Sequence, residues 1–362
     1  KWNSCTLIRI NIYVQQRLIL YLSDTVQKNL NYKKYIVDSK LQYFKPHATK
    51  IENTFAEEIS FSLNADLKFI SPKFFYDKKG SELFEKICLL PEYYPTRTEI
   101  SILKKLQNEL SSFIDDSFRL VELGSGSSVK TRLILDVFSK LQTNPEYFPI
   151  DISEILTESS EQLLQDYSTL SITGIIDTYE GGLEFLKHYD NKKNLIIFLG
   201  SSFGNFSPND GRIFLEKIHS TMKTDDLFLI GLDLVKETSI LESAYDDSQG
   251  ITAKFNLNIL SRINDELDAD FDLNNFGHHS LYHEKEQRIE MYLKSLTNQS
   301  VIISKSNIRL NLKKNELIHT EFSHKYHLSQ IHDLLSDVGF ELKHSWLDDD
   351  KHFSLTLVSK IK

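Results

Sequence analysis

The chain has 362 residues, of which 40% are hydrophobic and 26% charged, with a formal net charge of −9. That suffices for two domains, or one large elaborated domain, with a core that needs no covalent staple. A mildly acidic balance argues against a nucleic-acid groove, which needs clustered Lys and Arg. Two distant cysteines, Cys5 and Cys88, exclude a disulfide framework or a zinc spacing and point to a reducing, cytoplasmic compartment.

Residues 1–45 read as an N-terminal extension to which no role is assigned. Their most apolar stretch, 5–22, carries Arg9, Asn11, Gln15, Gln16 and Arg17. It is a poor membrane span and lacks the basic-then-apolar layout of a signal peptide, so no membrane association is expected. From 118 the chain acquires a rhythm. "FRLVEL" predicts a strand and "SVKTRLILDVFSKL" a helix; "EYFPIDIS" and "SITGIIDTY" are strands flanking the helix "ILTESSEQLLQDYS". "NLIIFLGSSFG", "DGRIFLEKIHSTM" and "DDLFLIGLDLV" continue as strand, helix and strand. Short apolar runs alternating with amphipathic segments mean βαβ units on a buried parallel sheet. The rhythm breaks between about 236 and 325. There "ESAYDDSQGITAKFNLNILSRINDELDADF" is mostly helical, and "QRIEMYLKSLTNQSVIIS" and "LIHTEFSHKYH" read as longer strands. His278–His279 and the acidic "DELDADFDL" read as a loop and a solvated helix end. The C-terminus closes with a helix, "SQIHDLLSDVGF", and two strands, "ELKHSWL" and "HFSLTLVSK".

The first strand leads into "ELGSGSS" (122–128). A dinucleotide fingerprint needs a third glycine where Val129 stands, and no Gly-Lys-Ser/Thr follows for a phosphate loop. The turn still brings bare backbone close to a ligand. Asp151, at the end of the second strand, can accept from both hydroxyls of a ribose, and Lys130 offers a cation to a carboxylate. A ligand with a ribose and a carboxylate but no phosphate fits: S-adenosylmethionine. The bland alternatives are that Lys130 is a solvated helix residue and that Asp151 caps a helix.

Six segments then occur in an order that carries a resemblance: "FFYDKKGSELFEKICLLPEYYPTRTE", "VELGSGSSVKTRLIL", "FLGSSFGNF", "LVKETSILESAYDDSQGITAKFNLNIL", "RIEMYL" and "TEFSHKY". Over roughly 50–362 the chain resembles the histidine-specific S-adenosylmethionine methyltransferases, which make hercynine, the trimethylated betaine of histidine, for ergothioneine synthesis. The resemblance implies an α/β architecture: a class I, Rossmann-like methyltransferase domain with a doubly wound sheet and a C-terminal antiparallel strand pair, plus a smaller α+β substrate domain. Residues 46–98 and 233–325 would then form the substrate domain, 99–232 the S-adenosylmethionine-binding domain, and 326–362 its C-terminal part. The resemblance places Gly124 and Lys130 at the methionine end of the cofactor, Asp151 on its ribose, and Thr178 and Tyr179 beside the adenine. Thr178 departs from the Asp that many members carry, and Asp177 next door can supply the carboxylate. Tyr93 would reach the imidazole of histidine. Asn205 and Tyr245 would hold its α-amino and carboxylate groups, and Glu321 and Ser323 its imidazole. Tyr76 and Met291 would line the pocket.

Taken without the family, Asn205 is also a good turn former, and Tyr93 and Tyr245 are also ordinary core aromatics. Glu321 and Ser323 say more. At i and i+2 they share a strand face, roughly 6–7 Å apart. A carboxylate only accepts, whereas a hydroxyl donates or accepts, which suits the two unlike nitrogens of an imidazole; the bland alternative is a solvated polar edge. His319, His324 and His327 raise a metal site, with His319 sharing the face of Glu321 and His324 not; no metal-ligand spacing appears, and none is assigned. The expected reaction is in-line attack of a neutral amine on an activated methyl group. It needs positioning and desolvation rather than a dedicated base, with a tyrosine hydroxyl or water relaying the proton. Three alternatives stay open: a relative acting on another amine such as a tryptophan derivative, a non-catalytic binding protein on the same fold, and a nicotinamide-dependent oxidoreductase, disfavoured by Val129. No obligate protein partner is evident.

Overall fold

The computed structural model describes residues 31–47, 54–126, 128–152 and 155–361. The apolar stretch 5–22 and Cys5 therefore lie outside the described residues. The elements run β1 (Tyr32–Ile36), β2 (Leu41–Pro46), α1 (Phe55–Leu63), α2 (Lys78–Cys88), α3 (Tyr94–Leu106), β3 (Phe118–Leu123), α4 (Val129–Leu141), β4 (Glu146–Asp151), α5 (Ile155–Asp166), β5 (Ser171–Ile176), α6 (Tyr179–Tyr189), β6 (Lys193–Phe198), α7 (Pro208–Thr221) and β7 (Leu227–Asp233). Then follow α8 (Thr238–Tyr245), α9 (Ile251–Leu267), β8 (Phe276–His283), β9 (Arg288–Ser295), β10 (Gln299–Ile303), β11 (Ile308–Leu312), β12 (Leu317–His324), α10 (Leu328–Asp337), β13 (Phe340–Leu347) and β14 (Phe353–Lys360).

Nine strands form one sheet in the order β1-β2-β5-β4-β3-β6-β7-β14-β13. From β2 to β7 the neighbours are parallel, while β14 and β13 return antiparallel. This is the doubly wound sheet with a C-terminal antiparallel pair that the alternating apolar runs predict. Every residue of β3 and β7 is buried, as strands covered on both faces must be. The order reverses at β3: β4 lies on one side of it and β6, two βα units later, on the other. Loops leaving the carboxyl ends of β3 and β6 thus flank the crevice where such sheets bind ligands.

The segment between β7 and α10 builds a second core. Its three-stranded antiparallel sheet, β12-β9-β8, shares that core with α1, α2 and α9. The two regions are sutured where β7 ends. Tyr326 donates its N–H to the Asp233 carbonyl and Val235 donates to the Tyr326 carbonyl, each at 3.0 Å.

Three expectations need amendment. His278 and His279 lie in strand β8, not a loop. His278 is half-buried, its Nδ1 2.9 Å from Asn256 Nδ2 and its Nε2 2.8 Å from the Tyr245 carbonyl. The alternation around these histidines is too polar to read as a strand, because their partners are supplied by other elements. Residues 32–46, all but Pro46 inside the extension given no role, form the β1–β2 hairpin, which adds two strands to the sheet through β5. Finally, a bulge between His319 and Glu321 shifts the register of β12 against β9. His319 consequently stacks on Phe322 at 3.8 Å, on the face opposite Glu321, and does not share a face with it.

Candidate active site

β3 delivers the chain into a turn where Gly124 and Gly126 adopt left-handed backbone, φ 74° and 46°. A Cβ on Gly124 would also stand 2.8 Å from the Tyr179 hydroxyl oxygen, so glycine is required there both by conformation and by the phenol overhead. Beneath the turn, burial pushes the Glu122 carboxyl up to about 7, while hydrogen bonds from Tyr147 and Thr131 hold it in place. Across the switch point, the Gly200 N–H donates to both oxygens of Glu99, at 2.9 and 3.0 Å. Glu99 reaches there from α3 because β7 carries Gly231, where a Cβ would come within 2.3 Å of its Oε1. Lys130, in the first turn of α4, pairs with Glu99 Oε2 at 2.5 Å. Its charge therefore sits between the Gly124 turn and Gly200, and part of it is already matched. Asp151 ends β4, and its carbonyl accepts from the Asp177 N–H. The Asp177 carboxylate takes the hydroxyl of Tyr32 and the Thr178 N–H. Thr178 itself caps α6, its hydroxyl accepting from Gly181 N–H at 3.2 Å. Burial, reinforced by the charge of Asp151, raises the Tyr179 phenol above its usual range. Bare backbone, a strand-end acid, a cation and an aromatic wall suit the ribose, carboxylate and adenine of S-adenosylmethionine.

Beside this crevice lies a cavity. Tyr93, Asn205, Tyr245 and the β12 pair Glu321 and Ser323, drawn from four segments, all line it, together with Tyr76 and Met291. Gly200, Ser201 and Ser202 line it too, so cavity and crevice meet at the residues after β6. Tyr93 packs edge-on to Tyr245 at 6.2 Å, and Tyr76 to Phe255 at 5.9 Å. Glu321 is 8% exposed, and its carboxylate accepts no hydrogen bond from the described residues. Burial raises it to about 7, with Lys325 pulling the other way. The Asn205 side chain likewise has no partner among the described residues. Ser323 Oγ and Tyr245 Oη lie 2.8 Å apart. Lys325 Nζ, fully buried, reaches both, at 2.8 and 3.0 Å.

The family profile for the histidine-specific, SAM-dependent methyltransferases matches residues 55–360. The chain belongs to this family. Within it, the chain is 36% identical over 301 residues to the histidine N-alpha-methyltransferase of Mycolicibacterium smegmatis, covering 83% of this chain and 93% of that one. It is 29% identical over 327 residues to an ergothioneine biosynthesis protein of Schizosaccharomyces pombe, covering 86% of this chain and 42% of the relative. The L-tryptophan methyltransferase of Psilocybe serbica is 25% identical over 288 residues, covering 73% of this chain and 80% of that one. The hairpin β1–β2, with Tyr32, precedes the stretch that matches the family profile.

Several residues of this methyltransferase's site escaped the sequence reading. Glu99 and Lys325 lie inside motifs carrying the family resemblance, yet nothing in their neighbours marks a buried charge. Asp233 had a signal: an acid ending the wholly apolar "LFLIGL" stands at a carboxyl strand end, where ligands gather. Asp348, Asp350 and His352 bring potential metal ligands within 4.8 Å of one another. The Asp348 carboxylate is occupied by the N–H groups of Asp350, His352 and Phe353, which accounts for the cluster as the β13–β14 turn. No helix among the described residues is long and apolar enough to cross a membrane.

Proposed function

We propose that this methyltransferase transfers three methyl groups to the α-nitrogen of L-histidine, giving hercynine. The observation that carries the reading is Glu321: a buried carboxylate without a partner among the described residues, facing the same cavity as the Ser323 hydroxyl. An unpaired buried charge is expensive, so the cavity favours a ligand that brings an N–H to it. Imidazole brings that N–H and an acceptor nitrogen for the hydroxyl. Indole brings the N–H alone, which counts against a tryptophan-type substrate. Relatives named for histidine methylation and ergothioneine biosynthesis support the same choice.

In this reading, S-adenosylmethionine supplies an activated methyl group. Gly124 and Gly126 offer their backbone to it, Asp151 takes the ribose hydroxyls, Lys130 faces the carboxylate, and Tyr179 and Thr178 border the adenine. Tyr93, Asn205 and Tyr245 orient the amino acid while the aromatic wall excludes water. Among the residues lining the cavity Glu321 is the one acid. With Glu321 engaged on the ring, the α-amine is not clamped by a carboxylate and can turn between transfers. The division into a substrate region (46–98, 233–325) and a cofactor region (99–232, 326–362), and a cytoplasmic setting, belong to the same proposal.

The test is mass spectrometry of histidine incubated with the protein and S-adenosylmethionine. Three methyl groups on the α-nitrogen, located by fragmentation, are expected. Ring methylation, or arrest after one transfer, would overturn an orientation that sets the ring on Glu321 and leaves the α-amine free to turn.

A further inference from the structure

Behind the cavity lies a buried charge cluster that the proposed chemistry does not use directly. The Lys325 side chain has no solvent exposure, and its three N–H groups have three partners: Asp233 Oδ2 at 2.8 Å, Ser323 Oγ at 2.8 Å and Tyr245 Oη at 3.0 Å. The Asp233 carboxylate also takes Lys236 at 2.5 Å and the Tyr94 hydroxyl at 2.7 Å. Burial alone would push the Asp233 carboxyl up, but the two lysines outweigh it and hold it below the usual range. Lys325 is therefore a fixed cation with no donor left for a ligand. It can act on the cavity only through Ser323 and Tyr245.

That restriction settles how many protons the hydroxyl pair can offer. An ammonium donates and never accepts, so each oxygen already accepts one bond from Lys325. The two oxygens are also bonded to each other, which uses one of the two hydroxyl hydrogens. One hydrogen remains for the cavity. A phenol is the stronger acid and the poorer acceptor of the two, so Tyr245 donates to Ser323. Ser323, both lone pairs filled, must then donate outward.

We infer that Lys325 is a positioning residue that forces Ser323 to present an O–H to the bound side chain, so that the cavity accepts only a ring with an unprotonated nitrogen at that point. The inference rests on histidine being the substrate and deepens that reading. It also fixes the ring's orientation of charge. Ser323 meets the bare nitrogen, the N–H is left for Glu321, and Tyr245, its proton spent on Ser323, contributes shape rather than a donor to the substrate. Without Lys325 each hydroxyl could rotate, and the pair would serve a donor or an acceptor equally.

The experiment compares histidine with pyrrolylalanine, whose ring keeps an N–H but has a C–H in place of the second nitrogen. The readout is the ratio of their kcat/KM values. The wild type should prefer histidine by about 100-fold or more, because the analogue leaves the Ser323 O–H unpaired. In Lys325→Met the preference should fall by about tenfold or more, mainly through the KM for histidine, with S-adenosylhomocysteine affinity within about twofold of wild type. An unchanged ratio in that variant overturns the inference. Should Lys325→Met not fold, Tyr245→Phe decides: it empties one lone pair of Ser323, whose hydroxyl can then turn, so the preference should fall there as well. A wild-type preference in Tyr245→Phe would show that the filled lone pairs do not direct the Ser323 proton and would overturn the assignment. A wild type that transfers no methyl group to histidine at all would instead bring down the functional reading and this inference with it.

Discussion

The two halves of the site are built by opposite means. The crevice proposed for the cofactor is made largely from backbone: glycines with positive φ and N–H groups, joined by acids at strand ends, with most of the turn lying between Leu123 and Lys130. The cavity proposed for the substrate is made from side chains of segments far apart in sequence, held by a buried charge cluster between β7 and the end of β12. The first kind of site tolerates surface change but little change of backbone. The second depends on single polar atoms, each of which can be removed. Binding of cofactor and binding of amino acid should therefore come apart under mutation.

The largest break should come at Glu321. Glu321→Ala leaves the substrate's ring N–H unpaired in a buried place, and the histidine KM should rise about 100-fold or more. S-adenosylhomocysteine affinity, measured by calorimetry, should stay near normal, since Gly124, Lys130 and Asp151 are untouched. Loss of both affinities together would erase the separation between the two halves. The converse variant is Asp151→Ala, which removes a charged acceptor for the ribose. Cofactor affinity should fall about 10- to 100-fold, or roughly 1.5–3 kcal/mol, and titration of S-adenosylhomocysteine into the variant measures it.

A third test sharpens the contrast through pH. The Glu321 carboxyl titrates at about 7 in the fold, against 4.5 as its ordinary value. The folded chain thus holds this proton more tightly than the unfolded one, and the contribution is complete below about pH 4.5 and is lost as pH rises through 7. Glu321→Gln cannot ionise, so at pH 8 the ligand-free protein should gain about 1–2 kcal/mol, while at pH 4.5 the gain should vanish. Urea unfolding at the two pH values reads the difference, and a variant no more stable than wild type at pH 8 would contradict the unpaired carboxylate. Activity should be lost in the same variant, a local trade of stability for function. The smallest effect concerns the hairpin. Tyr32→Phe removes one hydrogen bond to Asp177, and S-adenosylhomocysteine affinity should weaken about two- to fivefold, with histidine KM unchanged.

The contrast also governs what could be read before the structure. The crevice was legible because its signal is local: a glycine turn between an apolar run and a helix, then Asp151 at the next strand end. Glu321 and Ser323 were legible as a pair because a strand has period two, and that period survives on their side of the bulge. Upstream of the bulge it fails, and His319 was assigned the wrong face for that reason. Lys325 was not legible because a lysine two residues beyond a serine on a strand normally points to water. What buries it is Asp233, a residue from another sheet. Glu99 escaped for the same reason, since the gap that admits it is the missing side chain of Gly231. The β1–β2 hairpin was hidden by composition: "YKKYI" and "LQYFKP" are short, polar and edge-like. They become strands because β5 offers an open edge.

The suture at Asp233 and Tyr326 has a bearing on how this scaffold can diversify. The chain leaves the large sheet at residue 234 and rejoins it at 326, and the departure and return points are bonded to each other through the backbone. An excursion that starts and ends at one place imposes no span on whatever lies between. It can be lengthened, shortened or exchanged between relatives as a cassette, accompanied by the 54–93 segment that packs on it, without straining the strands below. What the cassette must carry is a cation at its final residue, because Asp233 waits on the sheet side of the junction. Lys325 is then a key as well as a tether: a graft lacking it would leave the buried Asp233 with one of its two lysines.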